Sequence, residues 1–105
     1  MTPLPHLQFA VLGVLSATSM AGRELRDELA KLGVKKQGPA FYRLMARLEE
    51  SGLVRGWYEQ EVVAGQVLRE RRYEATVRGR TARDETADFH RRVMRGFSGE
   101  EGALA

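Results

Sequence analysis

The stretch "KKQGPAFYRLMARLEESGLV", residues 35–54, decides the fold because it predicts a helix with two different faces. Gly38-Pro39 marks the start of this helix, since proline at the first helical position loses no needed hydrogen bond and has its φ angle already set. Apolar residues at helical spacing predict a buried face made of Phe41, Leu44, Met45 and Leu48. The opposite face carries Tyr42, Arg43, Ala46 and Arg47. This outer face is therefore free to bind an acidic partner.

Positive charge is concentrated around this helix. Residues 31–47 hold five basic side chains and no acidic ones, whereas the whole chain has a net charge of only +3, which leaves about −2 for the rest. A second basic segment, residues 69–83, holds six arginines and two glutamates. Two basic segments beside one helix indicate an anion-binding face, and the plainer alternative is a solvated protein surface.

A first helix is predicted over residues 7–15, which are apolar nearly all round. A helix with so little polar surface must be covered on more than one face. In so short a chain the second cover is predicted to be another subunit, which places Leu7, Val11 and Val14 in a dimer interface. Gly13 costs helix propensity and is predicted to mark a close helix contact.

A second helix is predicted to start after Ser19, whose hydroxyl can cap a free backbone amide. It runs to Leu32, and the spacing of Leu25, Leu29 and Leu32 predicts one buried stripe along it. Gly33 then stops the helix.

From Leu53 onward the pattern changes to aromatic and β-branched residues that partly alternate with polar ones. This predicts two antiparallel strands joined by a turn at residues 64–66, in which Gly65 takes a positive φ angle. Thr76 is predicted to cap a last helix from Val77 to about Phe97. An apolar stripe at helical spacing predicts a seam against another helix, formed by Ala82, Thr86, Phe89, Val93 and Phe97.

This order of elements is that of a winged helix-turn-helix with an added C-terminal helix. The predicted fold class is mainly α (α+β), with three helices and a two-stranded wing over residues 1–76. The C-terminal dimerisation helix occupies residues 77–97, where Ala82, Phe89, Val93 and Phe97 complete the dimer interface, and residues 98–105 form a flexible tail. In such a fold the third helix enters the DNA major groove and the wing reaches alongside it.

Four segments in this order resemble the PadR family of transcriptional regulators over roughly residues 7–95. They are "LQFAVLGVLS", "SMAGRELRDEL", "PAFYRLMARLEESGLV" and "RRYEATVRGR". The resemblance implies a cytoplasmic homodimer that represses transcription from a pseudo-palindromic operator. Two departures stand out: Pro39-Ala40 replaces a Gly-Thr pair that is usual in the family, and the wing carries Glu59 and Glu61 instead of a basic tip.

The predicted contacts to double-stranded DNA come from the third helix, its entrance and the wing. Those of the helix and its entrance are Lys35, Lys36, Gln37, Ala40, Tyr42, Arg43 and Arg47. On the wing, Arg69, Arg71 and Arg72 are expected to compensate for the two glutamates. Phosphate anchors and base readers are not separable at this point. Glu49 is predicted to be a structural partner of a nearby arginine, and Trp57 to cap the core.

Other function classes find little support. The chain has no cysteine, and His6 and His90 lack a second ligand at metal-binding spacing, so neither a metal nor another cofactor is expected. No catalytic set for an enzyme and no membrane partner is predicted. A small-molecule effector at the dimer interface stays open. The main alternative function is a winged-helix protein-interaction module that does not bind DNA specifically.

Overall fold

The computed structural model of the protein describes residues 2–104, and the side chains of residues 2–97. The elements of this part of the chain are α1 (His6–Val14), β1 (Met20–Ala21), α2 (Gly22–Lys31), α3 (Gly38–Glu50), β2 (Val54–Val63), β3 (Gln66–Ala75) and α4 (Val77–Leu104). The strands form one antiparallel sheet in the order β1-β3-β2, so β3 is central. The predicted α+β architecture is confirmed, but the sheet has three strands where the sequence predicted two.

One face of α3 lies at the centre of the hydrophobic core, as its spacing predicts. Phe41, Met45 and Leu48 are fully buried, and Leu44 is 8% exposed. The Phe41 ring meets the ring of Tyr73 from β3 nearly at right angles, with 6.4 Å between centroids. Burying one such side chain stabilises the fold by about 1.5–3 kcal/mol, and aromatic pairs prefer this edge-to-face arrangement. The core therefore fixes the direction in which the other face of α3 points.

The segment before α2 differs from the prediction, because residues 20–21 form a strand and Ser19 does not cap the helix. The two strand residues pair with Tyr73 and Arg72 of β3. Ser19 instead accepts hydrogen bonds from the Arg72 guanidinium, at its carbonyl oxygen (3.2 Å) and its hydroxyl oxygen (3.3 Å). Pairing with β3 satisfies backbone groups that a longer helix would otherwise have satisfied, so α2 begins only at Gly22.

Three apolar positions in α1 and α2 also differ from the prediction. Leu32 is 65% exposed, because α2 ends one residue before it, so the buried stripe consists of Leu25 and Leu29. Val11 is fully buried within the chain, which removes it from the predicted dimer interface. A Cβ at Gly13 would have no neighbour within 4 Å, so Gly13 marks no helix contact within the described part of the chain.

The start of α4 is anchored by two threonine hydroxyls. Thr76 Oγ1 accepts a hydrogen bond from the Gly79 amide (3.0 Å) and donates one to the Gly52 carbonyl (2.7 Å), which confirms the predicted cap. Thr86, predicted in the apolar seam, is buried within the chain, and its Oγ1 accepts a hydrogen bond from the Leu4 amide (3.0 Å). The first half of α4 is therefore tied to the N-terminal segment and α1.

The second half of α4 extends away from the rest of the fold, and the molecule measures 65 × 25 × 23 Å. The helix continues to Leu104, beyond the predicted end near Phe97. The side chains of residues 98–105 lie outside the described residues, so the flexible tail predicted there stays a prediction.

A two-residue turn joins β2 to β3 at the predicted place. Val63 pairs with Gln66 across it. Both central residues have positive φ angles, 50° at Ala64 and 78° at Gly65, as a type I′ hairpin turn requires. Gly65 adopts this conformation freely, whereas the Cβ of Ala64 disfavours it.

Replacing Ala64 by asparagine is expected to stabilise the fold. Asparagine tolerates the left-handed conformation better than alanine, so the Ala64→Asn variant gains about 0.5–1 kcal/mol. Urea unfolding monitored by circular dichroism measures this change. Ala64→Val, which adds a β-branched side chain at the same angle, is the control and lowers the free energy of unfolding. Equal stability of the two variants would contradict the strain assigned to Ala64.

Candidate nucleic-acid interface

The outer face of α3 presents its side chains to solvent. Tyr42 is 45% exposed, and Arg43, Ala46 and Arg47 are also exposed. These residues lie opposite the four that fill the core, so the helix cannot rotate to hide them. Ala40, at the start of the same helix, is half-buried. The structure thus brings the predicted contacts of α3 together on one face.

The entrance to α3 forms a basic depression of about 340 Å³ with the side of α2. Lys35 and Lys36 line it together with Arg23 and Arg26, and Asp27 is the acidic residue among them. Arg26 also donates a hydrogen bond to the Lys36 carbonyl (3.3 Å), which holds the loop against α2. The predicted contact Gln37 lies next in the chain and is exposed.

Sequence reasoning missed Arg23 and Arg26 as members of this basic site. Both lie on the outer side of α2, where arginines are usually solvated. Their spacing of three residues places them on one helix face, and this spacing is the feature of the sequence that could have identified them as a pair.

The wing has two faces of different chemistry, which follow from the register of β2 and β3. Tyr58 pairs with Arg71, and Gln60 with Arg69, so these four side chains share the face toward α3. The face toward α2 carries the acidic residues Glu59, Glu61 and Glu70, together with Arg72. The sequence showed these charges along each strand but not the face to which each belongs.

On the face toward α2, the acidic side chains are paired with arginines. Arg23 contacts Glu70 at 2.7 Å and Glu61 at 3.9 Å. Arg72 contacts Glu59 at 3.1 Å, in addition to its bonds to Ser19. The hydrogen bond from Arg23 is the main cause that lowers the pKa of the Glu70 carboxyl below its ordinary value. Arg72 is therefore engaged within the chain, with 23% of its side chain exposed, and its predicted DNA contact stays a prediction.

On the face toward α3, Arg71 also has a partner within the chain. It forms an ion pair with Glu49, as predicted for that glutamate, with 2.5 Å between Nη2 and Oε1. This ion pair engages the Arg71 guanidinium, and the predicted DNA contact by Arg71 stays a prediction. Arg69 differs: it is exposed, and its guanidinium carbon stacks 4.1 Å from the centroid of the Tyr58 ring. Arg69 is thus the predicted wing arginine that the geometry leaves facing solvent.

A cleft of about 550 Å³ separates α3 from the wing. Its lining combines three tyrosines, two arginines and one acid: Tyr42, Tyr58, Tyr73, Arg69, Arg71 and Glu49. Tyr42 and Arg69 also line a smaller depression at the start of α2. The outer face of α3 and the basic face of the wing therefore border the same surface.

A second surface, apolar and remote from the first, follows the far half of α4. Phe89, Val93 and Phe97 are 38%, 42% and 62% exposed, and Met94, which the predicted seam did not include, is 65% exposed. Ala82 is half-buried and packs on the chain's own core, so it contributes less than predicted to any interface. Trp57 does not cap the core: it is half-buried on the wing, with Arg55 stacked at 4.4 Å.

An open apolar groove of about 380 Å³ lies beside α1. Its lining includes the predicted interface residue Val14 and runs along α1 to the end of α2: His6, Phe9, Ala10, Gly13, Val14, Leu32 and Val34. Leu7 is half-buried and packs against the core. Among the residues described, no group of side chains is arranged to hold a metal ion. None of the described helices is long and apolar enough to cross a membrane.

Neither a family sequence model nor a curated protein sequence matches the chain. Solved structures do. A PadR-like transcription factor from Bacteroides fragilis superposes with a TM-score of 0.72 at 15% identity, covering 89% of this chain and 87% of that one. The chain has a PadR-like fold. The predicted resemblance is thereby confirmed at the level of architecture.

Two further PadR structures extend the comparison. A PadR family regulator from Eggerthella lenta has 28% identity and a TM-score of 0.62, with 90% of this chain and 79% of that chain covered. Bacillus subtilis PadR in complex with operator DNA has 19% identity and a TM-score of 0.63 over 77% of this chain. The match spans 47% of the Bacillus subtilis protein, so the chain corresponds to about half of it.

In this PadR-like chain, burial raises the pKa of the Tyr73 hydroxyl from 10.0 to about 12. The folded state therefore favours the neutral phenol more than the unfolded state does. The stability that this provides is present below pH 10 and is lost as the pH rises through about 12. An ultraviolet titration of tyrosinate is expected to lose its highest-pH step in the Tyr73→Phe variant. Removal of a lower step instead would contradict the assignment.

Proposed function

We propose that the chain is a sequence-specific DNA-binding transcriptional regulator that represses transcription as a homodimer on a pseudo-palindromic operator. The observation that carries the proposal is the outer face of α3, where Tyr42, Arg43 and Arg47 are exposed while the opposite face is buried. An α-helix of this kind fits the DNA major groove. The shared fold with transcription regulators, one of them in complex with operator DNA, supports the same function.

The side chains of this interface divide by chemistry into two roles. Arg43 projects from the middle of α3 and Arg47 from its last turn, and their guanidinium groups can pair with guanine edges in the groove. Tyr42 lies beside them at the boundary with the wing, and Ala40 offers a methyl group to a thymine methyl. The entrance of α3, with Lys35 and its neighbours, supplies cations for backbone phosphates, which fix the register of the protein on DNA.

The wing contributes one cation to this interface, Arg69, supported by Gln60 across the strand. Arg71 and Arg72 are engaged with glutamates of the chain. The acidic face of the wing points toward α2, away from the cleft that Arg69 shares with Tyr42. This division explains how a wing with four glutamates, Glu59, Glu61, Glu70 and Glu74, is compatible with binding a polyanion.

The homodimer in the proposal rests on the apolar surfaces of α1 and α4. Phe89, Val93, Met94 and Phe97 expose large side chains on one half of a helix that extends from the body. The groove beside α1 offers a complementary apolar surface on the same chain. A two-fold pairing that buries both surfaces would place two copies of α3 about 34–36 Å apart, one turn of DNA.

A protein-interaction module without specific DNA binding is the second candidate function. The observation that favours it is the wing tip, where Val62, Val63, Val67 and Leu68 expose between 41% and 70% of their surface. Fluorescence anisotropy across a salt series separates the two candidates. Binding to DNA from upstream of the coding region, but not to a scrambled duplex, with a steep log–log salt slope supports the regulator. No binding at low salt supports the interaction module.

The double variant Arg43→Ala/Arg47→Ala is expected to weaken binding to the upstream duplex with little change in thermal unfolding. Both side chains are exposed, so their loss removes DNA contacts and no core packing. Because both are assigned to guanine edges, each loss is expected to cost about 1–3 kcal/mol and to reduce the preference for the upstream duplex over a scrambled one. Arg91→Ala/Arg95→Ala removes the same charge from α4 and is the matched control. Equal weakening by the control would mean that net charge, not the α3 face, carries the binding.

The substitution Val93→Glu is expected to convert the dimer to a monomer. A carboxylate placed in an apolar interface would be desolvated without a partner, which costs more than a weak interface can offset. Analytical ultracentrifugation measures the change in mass. Arg95→Glu, two residues along the same helix and outside the apolar stripe, is the control that leaves the dimer intact. A dimeric Val93→Glu variant would exclude this surface as the interface.

A further inference from the structure

An ion pair connects the end of α3 to the middle of the wing. Glu49 lies in the last turn of α3, and its Oε1 accepts a hydrogen bond from Arg71 Nη2 at 2.5 Å. Each of the two side chains is only 26% exposed. Partial burial removes part of the hydration of both charges. Because this cost offsets their attraction, the pair by itself need not stabilise the fold. Its position between two functional elements suggests a different role.

The backbone of β2 makes room for this pair at Gly56. A Cβ at this position would overlap Glu49 Oε1 and would lie 2.9 Å from Arg71 Nη2. A glycine inside a strand weakens the strand, and it often marks the close approach of another group. Here the approaching group is the carboxylate of α3. At Gly56, where the wing leaves the core, the strand backbone therefore forms a seat, that is, a space that the Glu49 carboxylate fills.

A continuous series of contacts leads from this seat to the exposed cation of the wing. The guanidinium of Arg71 lies 4.7 Å from the centroid of the Tyr58 ring. The guanidinium of Arg69 lies 4.1 Å from the same ring. Both arginines stack on one tyrosine, as cations do on aromatic faces. The position of Arg69 thus depends on Tyr58, and that of Tyr58 on Arg71.

Glu49 is the counter-charge of this cluster. The other lining residues of the cleft are the two arginines and three tyrosines. Burial raises the pKa of the Tyr73 hydroxyl to about 12, so this neighbour stays neutral at ordinary pH and offers Arg71 no negative charge. Without Glu49, two like charges would share one aromatic ring and the cleft beside them would lose its acidic lining residue.

We infer that the Glu49–Arg71 ion pair, seated on Gly56, is a positioning device that holds the wing so that Arg69 faces the same DNA as Tyr42. The inference rests on the proposed function, because it explains how the wing takes part in DNA binding. Glu49 and Arg71 are positioning residues that act through the tyrosine beside them. They need not touch DNA.

In the variant Glu49→Gln, the direction of the change in DNA affinity separates positioning from simple electrostatics. Removing an acid near DNA should tighten binding if only charge matters. Loss of positioning should weaken it instead. Glu50→Gln is the matched control, since Glu50 is the next residue of α3 and is exposed. We expect Glu50→Gln to bind a fluorescein-labelled upstream duplex at least as tightly as the unmodified protein, and Glu49→Gln to bind roughly five- to tenfold more weakly.

The coupling between Glu49 and Arg69 makes the test specific. In the unmodified protein, Arg69→Ala should weaken binding and lower the salt slope by about one. In the Glu49→Gln background the same change should have less than half that effect on affinity, because Arg69 is already displaced. Additive effects, or Glu49→Gln binding as tightly as Glu50→Gln, would overturn the inference.

A measurement without DNA keeps this inference separate from the proposed function. Trp57 is the single tryptophan of the chain and lies on β2, so its fluorescence anisotropy decay reports motion of the wing. Glu49→Gln should increase the amplitude of fast depolarisation, and Glu50→Gln should not. If the unmodified protein binds no DNA, the proposed function fails, and this decay alone decides whether Glu49 positions the wing. Identical decays for both variants would refute it.

Discussion

The contact between Tyr73 and Phe41 is the interaction on which the rest of the structure depends. Tyr73 lies in the central strand, pairs with β1 on one side and with Gly56 of β2 on the other, and is 2% exposed. Phe41 belongs to α3 and is fully buried. Their contact therefore joins the sheet to α3 at one point. Both the direction of α3 and the departure angle of the wing follow from it.

The distribution of charged residues over the faces of this protein matters more than its net charge. The wing has acidic residues on the side of α2, where Arg23 and Arg72 pair with them. On the side of α3, the acid is Glu49, and it is engaged with Arg71. Arg69 thus stays exposed where it borders the cleft between α3 and the wing. A net charge of +3 is sufficient for an anion-binding surface when the acids are placed in this way.

Long elements with a clear period were predictable from the sequence, and short or long-range features were not. The spacing of Phe41, Leu44 and their neighbours determined both faces of α3. The strand β1 has two residues, too few for any period, and it forms only because β3 lies beside it. The partners of Arg71 and Arg72 depend on strand register and on distant residues, 22 positions away for Glu49 and 53 for Ser19. A sequence read locally assigns such arginines to solvent or to DNA.

The order β1-β3-β2 leaves the outer edge of β2 without a neighbouring strand in the described part of the chain. Beside that edge, the wing tip exposes four aliphatic side chains. An open edge next to an apolar patch invites pairing between molecules and, from there, aggregation. Glu59 and Glu61 on the same strand oppose such pairing, because two copies of the edge would bring like charges together. The glutamates of β2 therefore disfavour edge-to-edge assembly of the wing.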